Sequence, residues 1–177
     1  MPVERETKTL WTGRHLSIVA RGKWEFATRN TKRPAVGIVA LTDEGSVVLV
    51  EQHRPPVGAT VIELPAGLAG DIAGAEQEPL LAAAQRELLE ETGYVASRWT
   101  ELLSGYSSPG LTDESLVLFL AEGLTRKNAG GGCEGEAITI HEISLNGVLP
   151  WLAKHGHRAD LKLLAGLYAA QSVRKQD

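Results

Sequence analysis

Cysteine is almost absent from this chain of 177 residues, because Cys133 is the only one. A single cysteine excludes an intramolecular disulfide, and without a cysteine or histidine pair nearby it does not predict a structural zinc site. No apolar run approaches the length of a transmembrane helix. Residues 1–9 are charged and lack the apolar stretch of a secretory signal. These absences predict a cytoplasmic protein without a membrane partner.

An excess of positive charge is also absent. Lysine and arginine number 18 against 22 acidic residues, so the formal net charge is −4. This balance provides no electrostatic footprint for nucleic acid, and we expect no such partner. An anionic small molecule would therefore need local arginines, lysines or metal ions. The length and the 43% hydrophobic content are those of a protein with one domain, or one domain and a small appendage.

Carboxylates are concentrated in residues 86–93, RELLEETG in one-letter code. On a helix, side chains three and four positions apart are neighbours, so we expect Glu87, Glu90 and Glu91 to share one face. A solvated acidic surface is one interpretation of such a face. The other is a site for Mg²⁺ or Mn²⁺, since both ions favour carboxylate oxygen ligands. Gly93 is expected to end the helix.

The wider pattern around this cluster resembles the Nudix box, G-x5-E-x7-R-E-U-x-E-E-x-G-U, where U is aliphatic. Seven residues separate Glu78 from Arg86, and the match is complete from Glu78 to Gly93. Ten residues separate Gly67 from Glu78 where the box has five, which indicates an insertion in the loop. Tyr94 occupies the last aliphatic position and is expected to pack as an apolar body.

Periodicity predicts the elements around the box. Alternating residues between about 7 and 30 predict antiparallel strands joined near Gly22. Helical spacing predicts a box helix with an apolar stripe facing the core, and two further helices late in the chain. The box helix is predicted over residues 76–92, its stripe is Leu80, Leu81, Ala84 and Leu88, and further strands are predicted over 35–41, 46–51, 60–64, 99–106, 116–121 and 137–143.

Mixed strands with two or three helices predict an α+β protein. The resemblance implies a Nudix-fold α/β/α sandwich with a mixed sheet and extra N-terminal antiparallel strands. It also implies that residues 1–33 form a dimerisation region and that residues 34–177 form the Nudix hydrolase domain. A homodimer is therefore expected.

Other segments resemble the ADP-ribose pyrophosphatase branch of the family. They are the stretch from Glu51 to Pro55 and the stretch from Ser108 to Glu114, with Pro109 sixteen residues after Gly93. The implied reaction is Mg²⁺-dependent hydrolysis of the diphosphate of ADP-ribose to AMP and ribose 5-phosphate, with Mn²⁺ as a second candidate metal. The residues implied to bind substrate are Arg54, Glu63, Gly110, Glu114 and Trp24, with Trp24 stacking on adenine across the dimer.

The resemblance also assigns catalytic roles. Glu87 and Glu91, with the backbone carbonyl of Ala66, are implied to bind the metal, and Glu90 to act through a second ion or its waters. Arg86 is expected to hold these carboxylates in place by pairing with Glu78 or Glu90. The candidate general bases are Glu134 and Glu136, in a glycine-rich loop that we expect to close over the substrate, and the pattern favours Glu136.

Several alternatives remain at the level of sequence. The substrate could be a nucleotide sugar such as GDP-mannose, or a diadenosine polyphosphate. The chain could instead be a Nudix-fold module that senses ADP-ribose without cleaving it, although all three box acids are present. A Nudix-fold isomerase would need a catalytic cysteine that Cys133 does not obviously supply. Arg54 could be a surface arginine, Pro109-Gly110 a simple turn, and Trp24 a core or dimer-interface residue.

Overall fold

The computed structural model of the chain describes residues 6–133, 136–156 and 158–174. Its first three strands, β1 (Thr7–Thr12), β2 (Leu16–Arg21) and β3 (Trp24–Arg29), form an antiparallel sheet of their own. The turn between β2 and β3 uses Gly22 at φ 65°, a conformation that glycine adopts without strain. The predicted extra N-terminal strands are thus present as a separate small sheet.

A larger mixed sheet forms the body of the protein. The strands lie in the order β11-β6-β5-β4-β9-β8, with β10 paired to β5 and β7 to β4. Strands β4 and β9 run parallel, whereas β8 and β9 run antiparallel. The strand bounds are β4 Ala35–Leu41, β5 Ser46–Arg54, β6 Ala59–Glu63, β7 Ala66–Leu68, β8 Tyr94–Tyr106, β9 Ser115–Arg126, β10 Thr139–Ser144 and β11 Arg158–Ala159.

Helices cover both faces of this sheet. They are α1 (Leu80–Thr92), α2 (Val148–His155) and α3 (Leu161–Arg174). Alternate residues of β4 point to opposite faces, as the period of two requires. One set joins a core with residues of α1, and the other joins a core with residues of α2 and α3. This three-layer packing confirms the predicted α+β sandwich.

The box helix differs from its prediction at the start and on one face. Helix α1 begins at Leu80, after Pro79, because a residue that precedes proline avoids the helical conformation. Leu81, predicted to face the core, is 39% exposed, and the buried apolar positions of α1 are Ala83, Ala84 and Leu88. The stripe is displaced because Glu87 and Glu91 also take inward positions. Gly93 ends the helix at φ 74°, as expected.

Tyr94 fits its predicted role, since it is partly buried against the core beneath α1 while its hydroxyl donates to Glu142 at 2.6 Å. None of the helices among the described residues is both long and apolar enough to cross a membrane.

Candidate active site

Two of the box acids point into a cleft of about 360 Å³. Glu87 and Glu91 lie one helical turn apart on α1, retain only 9% and 5% exposure, and line this cleft. The side chain of Glu90 is 33% exposed and lies beside the cleft, where it accepts a hydrogen bond from Arg86. The helix therefore presents two buried carboxylates at the cleft and a third at its side.

Arg86 is the cation that these carboxylates share. It donates from Nη1 to Glu87 at 2.7 Å and to Glu90 at 3.1 Å, and from Nε to Glu78 at 3.2 Å. Its Nη2 also donates to the backbone carbonyl of Leu68 at 3.1 Å. Burial acts to lower the pKa of Arg86, but its contacts with Glu78 and Glu87 raise the pKa above its ordinary value. The guanidinium stays charged and fixes the orientation of the acids.

The longer loop before α1 still brings Glu78 to the helix. Both carboxylate oxygens of Glu78 lie 3.2 Å from nitrogens of Arg86. The bond from Arg86 lowers the pKa of Glu78. Gly70 turns the chain at φ 71°, where an added Cβ would lie 2.5 Å from the carbonyl oxygen of Glu76. The insertion is accommodated by a tight turn that leaves the Glu78–Arg86 contact in place.

Glu91 has the most strongly shifted acidity of the helix. Burial raises its pKa to about 8, and the charges of Glu87 and Glu136 act in the same direction. The backbone N–H of Ala66 donates to Glu91 at 3.0 Å and opposes that shift. Burial also raises the pKa of Glu87, against the influence of Arg86. Crowded, desolvated carboxylates of this kind are stabilised as anions by a cation.

Gly67 allows strand β7 to lie directly against the helix. A Cβ at this position would lie 1.9 Å from Oε1 of Glu87 and 2.0 Å from its Cδ. Any other residue would therefore displace the Glu87 carboxylate. The glycine at this point of the box is needed for space.

The glycine-rich loop after β9 is tied to the end of α1. Gly131 donates to the carbonyl of Glu91 at 2.8 Å, and Gly132 donates to the carbonyl of Glu90 at 3.0 Å. An added Cβ at Gly130 would lie 2.4 Å from the carbonyl carbon of Thr92. The sequence predicts that these glycines let the loop close over the substrate. In the structure they allow the loop to pack closely against the end of α1.

Glu136 follows this loop and lines the cleft together with Glu91. The backbone N–H of Cys133 donates to Glu136 Oε2 at 2.9 Å, so a turn of the chain fixes the carboxylate. The structure thus brings one of the two proposed bases to the box acids. The other, Glu134, lies outside the described residues.

Basic side chains line the same cleft as the carboxylates of α1. Arg29, Arg54 and Lys162 all line it. Arg54 donates from Nε to Glu63 at 2.7 Å, and its side chain is 43% exposed. Burial raises the pKa of Glu63, while the hydrogen bond from Arg54 lowers it. Glu63 lines the cleft, and its contact with Arg54 orients the arginine side chain.

Two of the predicted substrate residues lie elsewhere. Trp24 and Gly110 line a different cavity of about 400 Å³, between the N-terminal sheet and the loop before β9. Trp24 is 60% exposed there, and Phe26 and Tyr106 line the same cavity. Within the single chain, the structure therefore separates Trp24 and Gly110 from the box acids, whereas Arg54, Glu63 and Glu114 share the cleft with them.

The oxygen donors of the cleft suit Mg²⁺. Among residues 6–133, 136–156 and 158–174, no three acidic, histidine or cysteine side chains converge as a complete ligand set. Mg²⁺ does not require one, because it commonly keeps several waters and binds through one or two carboxylates plus substrate phosphates. Glu87 and Glu91 supply two such carboxylates beside Ala66, so the residues present fit this ion.

Arg29 and Lys162 are cleft residues that the sequence did not reveal. Arg29 ends β3 in the region predicted to serve dimerisation, and Lys162 lies in the first turn of α3, paired with Asp160. Neither belongs to a spaced motif. The only signal for Lys162 is its position two residues after Asp160, which accepts from its backbone N–H at 2.9 Å. Tertiary packing alone brings them to the cleft that Glu87 and Glu91 line.

This geometry, a carboxylate helix preceded by a tight loop and faced by basic groups, agrees with the sequence comparison. Residues 31–164 match the NUDIX domain, and the chain belongs to the Nudix family. The match begins just after β3, so the small N-terminal sheet precedes the family domain.

Two relatives and one solved structure are similar to this chain. A methanol dehydrogenase activator from Bacillus methanolicus is 38% identical over 67% of this chain and 62% of its own length. An ADP-ribose pyrophosphatase from Bacillus subtilis is 40% identical over 65% of this chain and 60% of its own length. The chain thus matches about 60% of each relative. The crystal structure of an ADP compounds hydrolase has the same fold, with a TM-score of 0.78 at 20% identity over 97% of this chain and 92% of that one.

Proposed function

We propose that this chain hydrolyses the diphosphate bond of ADP-ribose in a Mg²⁺-dependent reaction that yields AMP and ribose 5-phosphate. The observation that carries the proposal is that Glu87, Glu91 and Glu136 line the same cleft as the basic side chains described above. An anionic diphosphate needs positive charge around it, and the activation of water next to it needs carboxylates. One cleft in this protein contains both. The name of the Bacillus subtilis relative supports ADP-ribose as the substrate.

The metal is proposed to bind at Glu87, Glu91 and the carbonyl of Ala66, with Glu90 acting through a second ion or its waters. When bound, Mg²⁺ would neutralise phosphate charge and favour the ionisation of water. Mn²⁺ fits the same oxygen donors. The raised pKa of Glu91 supports this assignment, because a cation offsets the cost of ionising a buried carboxylate next to Glu87.

The chain's own residues divide the remaining work. Arg54 is proposed to bind the diphosphate, since Glu63 holds its Nε and leaves the guanidinium exposed at the cleft. Glu136 is proposed to accept the proton of the water that attacks phosphorus, as the P–O bond to the leaving phosphate breaks. Cys133 N–H holds Glu136 for that transfer. Arg86 keeps the acids of α1 in register by contacting Glu78, Glu87 and Glu90.

The N-terminal sheet is proposed to form a homodimer. Its strands expose large apolar side chains, among them Trp11 at 57% and Trp24 at 60%. Solvent exposure of such groups is costly, and burial against a second copy would remove that cost. Trp24 is proposed to stack on the adenine of substrate bound across the dimer. Light scattering of the purified protein tests this arrangement, and a monomer at micromolar concentration would contradict it.

The proposed function is tested by a phosphate-release panel with purified protein, Mg²⁺ and a coupled phosphatase. ADP-ribose is compared with GDP-mannose, UDP-glucose, diadenosine polyphosphates and NADH. We expect a strong preference for ADP-ribose. Preference for another compound would preserve the metal chemistry and remove the substrate assignment. Binding of ADP-ribose without cleavage of any compound would instead identify a sensor.

A further inference from the structure

The N-terminal sheet is joined to the loop before β9 by a set of specific contacts. The backbone N–H of Ala27, in β3, donates to the carbonyl of Leu111 at 2.9 Å. The Thr28 hydroxyl donates to Asp113 Oδ2 at 3.0 Å. Residues Ala27 and Thr112 also form a parallel bridge. Strand β3 therefore follows this loop closely up to the position where Glu114 begins to face the cleft.

The last contact in this set fixes Glu114. Arg29 donates from Nε to Glu114 Oε1 at 2.6 Å, while the Ser107 hydroxyl donates to the other oxygen at 2.8 Å. Only 18% of the Glu114 side chain is exposed. Burial acts to raise the pKa of Glu114, but the bonds from Ser107 and Arg29 lower it overall. The carboxylate is held ionised, with each oxygen oriented by a separate donor.

Arg29 and Glu114 both line the cleft that contains the box acids. A carboxylate has about four acceptor positions, so Glu114 retains acceptor capacity after its two bonds. It carries a fixed negative charge near the binding site of an anionic substrate, which suits a hydroxyl group better than a phosphate. In the proposed substrate, the group at the end of the molecule that carries free hydroxyls is the terminal sugar.

We propose that Arg29 is a positioning residue for substrate recognition. Through its bond to Glu114, the N-terminal sheet fixes the carboxylate that accepts hydrogen bonds from the hydroxyls of the substrate's terminal sugar. The inference rests on the proposed function. Strand β3 and the loop that contains Glu114 form one hydrogen-bonded unit. The N-terminal sheet therefore contributes to substrate recognition by its own chain, without a second copy.

The test compares two substrates that share the ADP diphosphate. ADP-ribose offers the hydroxyls of a terminal sugar to Glu114, whereas ADP methyl ester has no terminal sugar and carries only the hydroxyls of its adenosine ribose. The variants are Arg29→Met, Arg29→Lys, Glu114→Gln and the double variant Arg29→Met with Glu114→Gln. Arg14→Met is the matched control, since Arg14 is an exposed arginine of the same region. Steady-state KM and kcat are measured for both substrates, and thermal unfolding verifies that each variant is folded.

We expect Arg29→Met and Glu114→Gln each to raise the KM for ADP-ribose about tenfold, the effect of losing a hydrogen bond to a charged group. The kcat should change less than about twofold, and the double variant should resemble the single ones, because both changes remove one unit. Arg29→Lys should restore part of the affinity. In the Arg29 and Glu114 variants, the kcat/KM for ADP methyl ester should fall much less than the kcat/KM for ADP-ribose, because only ADP-ribose has the terminal sugar.

Equal losses on the two substrates, or effects of Arg29→Met and Glu114→Gln that multiply, would overturn the inference. If the unmodified protein cleaves neither compound, the proposed function is wrong. In that case, the affinities for ADP-ribose and ADP methyl ester, measured by calorimetry, test the inference independently of the proposed function. Equal ADP-ribose affinity in the Arg29→Met and unmodified proteins would overturn it, and a weakening confined to ADP-ribose would support it.

Discussion

The two walls of the cleft are built in different ways. On one side, Glu87 and Glu91 lie one turn apart on a single helix, and Arg86 of the same helix orients the acids. On the other side, Arg29, Arg54 and Lys162 come from β3, β5 and α3. The first, which we call the helical wall, is local in sequence and dense in charge. The second, which we call the distributed wall, is assembled by the fold. The proposed carboxylate ligands of the metal therefore come from one helix, whereas the proposed general base and the proposed substrate contacts come from several other parts of the chain.

The largest expected effect comes from removing one charge of the helical wall. Glu91→Gln keeps the size and the acceptor oxygen for the Ala66 N–H but removes the negative charge. We expect turnover of the preferred substrate to fall by about 10³-fold or more, as expected when a catalytic metal loses a ligand. Steady-state phosphate release with saturating Mg²⁺ measures the loss.

Glu101→Gln is the matched control, since Glu101 is an exposed glutamate on β8. Near-normal turnover of Glu91→Gln, together with an unchanged Mg²⁺ requirement, would remove Glu91 from the metal site. Loss of turnover in the control as well would indicate a general effect of charge.

A second change perturbs the same wall by steric means alone. In Gly67→Ala the new Cβ would lie 1.9 Å from Glu87 Oε1, and the flexible end of that side chain must move. Because Cδ and Cγ of Glu87 would also lie only 2.0 and 2.6 Å from the new Cβ, the whole end of the side chain must turn away and lose its bond from Arg86. We expect kcat/KM to fall roughly 10²-fold through the lost metal ligand, with a smaller loss of thermal stability. Gly105→Ala is the control, because a Cβ at Gly105 meets nothing within 4 Å. Normal activity of Gly67→Ala would show that the position of Glu87 is unimportant.

The same contrast explains what the sequence predicts and what it does not. The helical wall follows from a spaced motif, since i, i+4 geometry places Glu87 and Glu91 together in any helix. The sandwich follows from the alternation of apolar strands. Leu81 is exposed, contrary to the prediction, because the inward face of α1 includes Glu87 and Glu91, which a hydrophobic pattern does not reveal. Arg29 and Lys162 could not be assigned, because their position depends on how β3 and α3 pack against the body.

A change in the distributed wall should act on binding more than on chemistry. Arg54→Lys retains the positive charge but loses the planar fork and the Nε bond to Glu63. We expect KM to rise roughly tenfold with kcat changed much less, since the loss concerns a charged hydrogen bond. Steady-state kinetics with ADP-ribose separates the two constants. Arg98→Lys on the exposed edge of β8 is the control, and a large loss of kcat with unchanged KM would instead place Arg54 in the chemical step.

The smallest expected effect is on the free energy of unfolding. It measures how much the buried carboxylate of Glu91 destabilises the fold when no metal is bound. Burial raises the pKa of Glu91 from its ordinary 4.5 to about 8. Between these two pH values the unfolded chain loses a proton that the folded protein keeps, so the contribution of Glu91 to stability falls as pH rises. Below pH 4.5 it is fully present, and above pH 8 it stays lost.

Glu91→Gln avoids this loss because glutamine does not ionise. In metal-free buffer the variant should therefore gain stability relative to the unmodified protein as pH rises from about 5 to about 8.5, by on the order of a few kcal/mol, or roughly 10 °C in Tm. Thermal unfolding at both pH values measures the difference, with Glu101→Gln as the control. Adding Mg²⁺ at the higher pH should raise the Tm of the unmodified protein and leave that of Glu91→Gln nearly unchanged, since a cation binds the folded site only where the carboxylate can ionise. A Tm difference that is the same at both pH values would show that Glu91 is already ionised without metal, and the charge density of the helical wall would then be balanced by Arg86 alone.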